Sequence, residues 1–217
     1  MTLNVDQVLL LRRDSLLAVA YEQASVRTID GTPLLWLAKL VGSRRATRNT
    51  GADLIYSVSE HSAGAGWRVG VAGGRAGAAM RAAENLSQAY PNSQILGIEF
   101  PEIAGPADNA SVHFIDHLCS LNIDVLFLCL GCPKQETWFH HWRNALPPGV
   151  YVGAGAAVDF ASGSVARAPQ LVQRIGLEWL WRLCQDPKRL ARRYLIRGPR
   201  FLGVVVNSIT QNFRRIQ

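Results

Sequence analysis

Apolar and polar positions along this 217-residue chain fall into short blocks whose period switches back and forth between helix-like and strand-like. Val5, Val8, Leu9, Leu16 and Val19 recur at helical spacing, so Val5–Ala20 reads as one amphipathic helix with a broad apolar face. Ser25–Ile29 reads as a short strand running into Asp30-Gly31. Pro33 suits the first turn of the next helix, through Leu34–Val41. Gly51–Ser62 is a further helical block. Trp67–Ala72 reads as a buried strand, and Gly73-Gly74 leads from it into an Ala-rich helix, Gly77–Tyr90, which Pro91 stops. Gln94–Ile98 is a strand and Ala110–Leu121 a helix. Asp124–Leu130 is a continuous apolar run of the kind buried on both faces of a sheet. Gly131-Cys132-Pro133 turns the chain into a helix over Lys134–Ala145, and Val150–Gly153 is the last clear strand.

This alternation predicts an α/β fold: a Rossmann-like, mostly parallel sheet with helices on both faces. Ligands of such sheets bind at the carboxyl ends of the strands. Each Gly-rich turn here follows a strand, so the turns are expected to collect on that edge. Charge divides the chain further. From Arg167 to Gln217 there are 11 basic residues against 2 acidic ones, whereas residues 1–166 carry 12 against 14. The reading is therefore a core over 1–166 and a basic helical appendage over 167–217. Such a tail seeks phosphate, of nucleic acid or of a membrane surface. Its interleaved Trp179, Trp181, Tyr194, Leu195 and Phe201 favour the membrane and argue against a nucleic-acid partner. No run approaches the roughly 20 apolar residues of a spanning helix. No secretory leader pattern is visible, and the four cysteines form no disulfide pattern, which fits a cytoplasmic setting.

Five constellations can carry chemistry. Gly73-Gly74-Arg75 lies at a strand-to-helix turn where backbone N–H groups can approach a phosphate; a tight turn that needs glycine is the alternative. Gly131–Glu136 follows the most apolar strand, and a helix begun at Pro133 would present Lys134 and Gln135 to the crevice. Cys129 and Cys132 also read as C-x-x-C, but Cys129 lies inside a buried strand, which weighs against a redox pair, and no second pair exists for zinc. Asp159, after the Gly153–Gly155 turn, reads as a loop brace. Asp30 stands at a strand end where bases of α/β enzymes are placed, and equally where an Asx turn would form. Asp186 can cap a helix begun by Pro187, which would set Arg189 and Arg192 on one face with Arg193 beside them. His113 with His117, and His140-His141, read as exposed helix residues. No Asp-x-Asp pair occurs to hold a cation on a diphosphate, so no metal and no cofactor is expected. The glycine turns alone leave an NAD(P)-dependent oxidoreductase as the alternative.

The ordered set Thr2-Leu3-Asn4, Asp30-Gly31, Arg48 with Thr50–Leu54, Tyr90-Pro91, Gly131–Glu136, Gly153–Asp159, Arg167–Pro169, Gly176–Leu183 and Pro187…Arg189…Arg192 resembles the WecG/TagA/CpsF glycosyltransferase family across nearly the whole chain. The resemblance implies inverting, metal-independent transfer from a UDP-sugar of the N-acetylmannosamine or glucose type. The acceptor it implies is an undecaprenyl-diphosphate-linked sugar at the inner face of the cytoplasmic membrane, in cell-surface polysaccharide synthesis. It implies Asp30 as base. It implies substrate contacts from Thr2, Gln135, Arg182, Arg189 and Arg192, and Asn4 with the strand-end residues Gly73, Gly74 and Lys134 is expected to join them. It also implies an appendage that docks to membrane and completes the site, and a core able to form homo-oligomers. In the family the Thr-x-Asn motif follows an N-terminal strand. Here it begins at residue 2, so that edge strand is expected to be missing, as in a chain that starts late. Val158 and Cys132 are local departures from the pattern.

Overall fold

The computed structural model describes the backbone of residues 1–216, with every side chain there except those of 174 and 212–216. In chain order the elements are β1 (Thr2–Leu3), α1 (Val5–Leu11), α2 (Ser15–Glu22), β2 (Thr28–Ile29), α3 (Thr32–Leu40), α4 (Gly51–Ala65), β3 (Arg68–Gly73), α5 (Ala78–Ala89), β4 (Gln94–Ile98), α6 (Ala110–Leu121), β5 (Val125–Cys129), α7 (Lys134–Trp142), β6 (Val150–Gly153), α8 (Ala157–Ala161), α9 (Gln170–Arg174), α10 (Glu178–Gln185) and α11 (Pro187–Ala191). A π-helical stretch (Arg192–Arg197) and a 3₁₀ turn (Gly198–Arg200) then lead into α12 (Phe201–Ile216).

The α/β expectation holds. Four parallel strands lie in the order β4-β3-β5-β6. Alternate residues of β3 and β5 feed two apolar layers, because successive side chains of a strand point to opposite faces. Val69, Val71, Val125 and Phe127 pack under α4, α5 and α8. Ala72, Leu126 and Leu128 pack with Phe114, Leu118 and Trp138 of α6 and α7. All five residues of β5 are buried, as its unbroken apolar run requires. The chain leaves β3 toward β4 on one side and returns to β5 on the other. That makes the β3/β5 boundary the switch point of the sheet.

A second, two-stranded parallel sheet pairs Thr2 with Thr28 and Leu3 with Ile29. The Thr-x-Asn segment is thus itself the strand at this edge. Leu3, Ile29, Leu34 and Leu37 pack with Phe201, Val204 and Val205, so α12 is seated on the core through an apolar cluster.

The single helix expected over Val5–Ala20 is corrected to two. Asn4 and Gln7 form a reciprocal capping box on α1, and Asp14 accepts from the Leu17 N–H to start α2. The break between them shifts the register. Leu17, Ala20 and Tyr21 are buried, while Leu16 and Val19 are exposed. The strand expected over Ser25–Ile29 shrinks to Thr28–Ile29, the length over which β1 offers partners. His113 and His117 are exposed, as expected.

Candidate functional site

A cavity of about 700 Å³ opens at the carboxyl edge of the main sheet, over the β3/β5 switch point. Gly73 at the end of β3, Gly74 just after it, Gly131 after β5 and Gly155 after β6 all line it, so the turns do collect on one edge. Gly73 and Gly74 take positive φ angles of 94° and 84°. A Cβ on Gly74 would meet Val158 Cγ1 at 2.4 Å, and one on Gly73 would meet the Cys129 carbonyl oxygen at 2.9 Å. Both glycines are demanded by the turn and by the packing beneath it.

Polar side chains brace the floor. Thr2 is buried and donates from Oγ1 to the Gly153 carbonyl at 3.2 Å, tying the small sheet to β6. Gln135 is buried; its Oε1 accepts from the Gly155 N–H at 3.1 Å and its Nε2 donates to Glu136 at 2.9 Å. Gln7 donates to the same Glu136 oxygen at 3.2 Å. Burial pushes the Glu136 carboxyl above its ordinary range against these hydrogen bonds. Lys134 lies exposed at the rim. Asp159 is buried on the lining and accepts from the Arg75 N–H at 3.4 Å, the bracing geometry expected of it.

Asp30 stands on the wall, at the end of β2 where Gly31 opens α3. Burial, and then the negative charge of Glu178, push its carboxyl up to about 6 against the pull of Arg182, Arg48 and Arg193. A carboxylate near that value is suited to taking a proton close to neutral pH. Glu178 comes from α10 in the appendage and pairs with Arg48 at 3.3 Å.

Residues between Glu178 and Arg197 form the opposite wall. Arg182 lies over the Phe160 ring, 5.5 Å from its centroid, and Arg189 pairs with Asp186 at 2.8 Å. Both line the cavity, together with Arg193 and Arg197. Arg192 does not: it is exposed and off the lining, a correction to the shared face expected for Arg189 and Arg192. Residues four apart, not three, face the cavity here, and the helix widens to π geometry at Arg192. Arg193 and Arg197 pair with Asp6 at 3.3 and 3.2 Å, and Arg193 donates to Asn4 Oδ1 at 3.2 Å. Asn4 is thereby both helix cap and cavity wall. Among the described residues, no group of three or more His, Cys, Asp or Glu side chains is clustered to hold a metal ion.

A model of the WecG/TagA/CpsF family of glycosyl transferases matches residues 1–215. The chain belongs to this family. It is 29% identical over 177 residues to the N-acetylglucosaminyldiphosphoundecaprenol N-acetyl-beta-D-mannosaminyltransferase of Bacillus spizizenii strain W23, covering 82% of this chain and 66% of that protein. It is also 29% identical over 163 residues to the protein of the same name from Bacillus subtilis strain 168, covering 75% of this chain and 62% of that one. The chain spans just under two-thirds of the length of these relatives.

WecG/TagA/CpsF membership sets aside the oxidoreductase alternative. It also accounts for the convergence of scattered motifs. Thr2, Asn4, Asp30, Gly73, Gly74, Lys134, Gln135, Arg182 and Arg189, drawn from the length of this family member, meet on one cavity. Sequence reasoning assigned no role there to Asp6, Gln7, Glu178, Arg193 or Arg197, which line it too. The four-residue spacing of Arg189, Arg193 and Arg197 was a usable signal. Gln7 is marked locally by its capping box with Asn4, but nothing local marks Asp6 or Glu178, whose partners are distant in sequence.

Proposed function

We propose that this protein is an inverting, metal-independent glycosyltransferase. It moves a hexose or N-acetylhexosamine from a UDP-sugar of the N-acetylmannosamine or glucose type onto a polyprenyl-diphosphate-linked sugar, at the inner face of the cytoplasmic membrane. One observation carries the reading: Asp30, a carboxylate raised to about 6, stands on a cavity with strand-end glycine turns on one side and arginines on the other. The names of the two relatives supply the acceptor class and the N-acetylmannosamine type of sugar.

The donor diphosphate lies over the Gly73-Gly74 turn, where the absence of side chains lets it approach closely. Asp30 takes the proton from the acceptor hydroxyl as that oxygen bonds to the anomeric carbon. The bond from that carbon to UDP breaks, and the electron pair leaves on the diphosphate. Arg182 and Arg189 meet the developing charge, a task that fixed cations perform without a metal. Thr2 and Gln135 hold the loops in place. The membrane reading rests on the amphipathic appendage, whose Leu171, Ile175, Leu180, Leu195, Ile196 and Leu202 are exposed among basic residues. No helix among the described residues is long and apolar enough to cross a membrane.

The test is UDP release from a panel of UDP-sugars with a synthetic lipid-diphosphate-sugar acceptor, with and without EDTA. Acceptor-dependent release, indifferent to EDTA, is expected. Asp30→Asn should lower turnover by ~10²–10⁴-fold, the usual cost of removing a positioned base. Near wild-type turnover in that variant would remove Asp30 from the chemistry.

A further inference from the structure

Two cavities meet at Asp30. Beside the large one lies a second, of about 260 Å³, between the small sheet with α3 and the appendage. Asn4, Asp6, Asp30, Glu178, Arg182 and Arg193 line both, and so form the partition between them. The rest of the two linings differs in chemistry. Gly73, Gly74, Gly131 and Gly155 line the large cavity and are absent from the small one. The small one adds Val5, Pro33, Trp179, Tyr194 and Phe201, with Arg48 on its polar side. Trp179 and Tyr194 hold their rings 5.8 Å apart.

Inversion imposes an order on this space. The attacking oxygen must reach the anomeric carbon from the face opposite the leaving diphosphate, and the base must sit on the attacking side. A diphosphate on the glycine turns places the leaving group in the large cavity. The attacking hydroxyl then arrives from the other side of Asp30, where the small cavity lies. Its size argues the same way, since pockets for ligands as large as a nucleotide sugar run to roughly 300–1,000 Å³. Aromatic faces suit a sugar ring and an isoprenyl chain, and Arg48 and Arg193 suit a diphosphate between them.

Resting on the transferase reading above, we infer that the small cavity is the acceptor subsite. It holds the acceptor sugar and the start of its lipid against Trp179, Tyr194 and Phe201, with Asp30 as the wall across which the hydroxyl meets the donor. Half of the residues that line this subsite lie after Arg167, so acceptor recognition depends on those helices being seated against the small sheet and α3.

Steady-state kinetics with a sugar diphosphate bearing a short isoprenyl chain tests this on the full-length protein. Trp179→Ala should raise KM for the acceptor roughly tenfold, the scale of one lost aromatic contact, while KM for the donor and UDP affinity by titration stay unchanged. Trp179→Phe should restore much of the loss. Thr32→Phe fills the same cavity from the α3 side while leaving Trp179 and Tyr194 unchanged in sequence, and should also raise the acceptor KM alone. If both cavity variants keep the wild-type acceptor KM, or change donor KM and UDP affinity instead, the subsite assignment is overturned while the transferase reading stands. Absence of acceptor-dependent transfer in the wild type would overturn both.

Discussion

Asp30 gathers most of the chemistry into one residue, and its charge is set by neighbours the local sequence does not name. Burial and then Glu178 raise its carboxyl to about 6, while Arg182, Arg48 and Arg193 oppose the rise. If its ionised form is the base, kcat/KM should fall on the acid side with an apparent value near 6. Glu178→Gln removes the negative neighbour and should move that limb to lower pH; an unmoved limb would separate Glu178 from the base. The same shift has a stability consequence. The folded state holds the Asp30 proton more tightly than the unfolded chain does. The stabilising contribution is therefore full below the ordinary carboxylate range and lost as pH rises through about 6. Asp30→Asn should accordingly raise the unfolding temperature at pH 8 and leave it little changed at pH 4. The Asp-Gly pair at a strand end made Asp30 a candidate from sequence. Its tuning was not legible there, because Glu178 and Arg182 reach it only once the appendage folds back.

Among the elements, those with strong local punctuation were read well. β4, α6 and β6 match their expected bounds to the residue, since turn residues punctuate them: Asn92 at positive φ ahead of β4, Asn122 at positive φ after α6, and Pro148-Gly149 ahead of β6. The N-terminal helix was misread because a helical period survives a three-residue break when each half has an apolar face. Asp14 was the overlooked signal, a side-chain cap competing with continuation of the helix. Asp186 performs the same service for α11 and also pairs with Arg75 of the glycine turn, at 3.5 Å, and with Arg189. Asp186→Ala should cost about 1 kcal/mol through the lost cap, measured by denaturant unfolding. It should also weaken UDP binding if the Arg75 and Arg189 positions it fixes matter to the diphosphate. Beyond α11 the widened turn at 192–197 decides which arginines face inward, and no residue type announces a π stretch.

At the scale of the molecule, the basic residues and helices from Arg167 onward are joined to the rest of the chain around the cavity. Arg167 donates to Asp53, Glu178 pairs with Arg48, Asp186 with Arg75, and Asp6 with Arg193 and Arg197. Burial works against the charge on Asp53, but hydrogen bonds from Arg167 and Thr50 outweigh it and hold the carboxyl below its ordinary range. Phe201 adds an apolar anchor beside Leu34 and Leu37. Deleting Ala191–Gln217 should therefore abolish sedimentation with anionic vesicles and lower turnover together. The full chain should sediment in low salt and be released as salt rises, because the attraction of a basic helix to a charged surface is screened. Equal sedimentation of the deleted and full chains would place membrane contact elsewhere. The parallel α/β class, the glycine turns on one edge, the division of charge at Arg167 and the family are all legible along the chain. These rest on periodicity, local turn chemistry and ordered motifs, all of which act over a few residues. Tertiary structure alone decided that Arg193 and Arg197, not Arg192, face the cavity, that Glu178 stands beside Asp30, and that a second cavity lies behind it. Those outcomes depend on how the appendage folds back on the core, through pairs between residues far apart in the chain that no short-range pattern encodes.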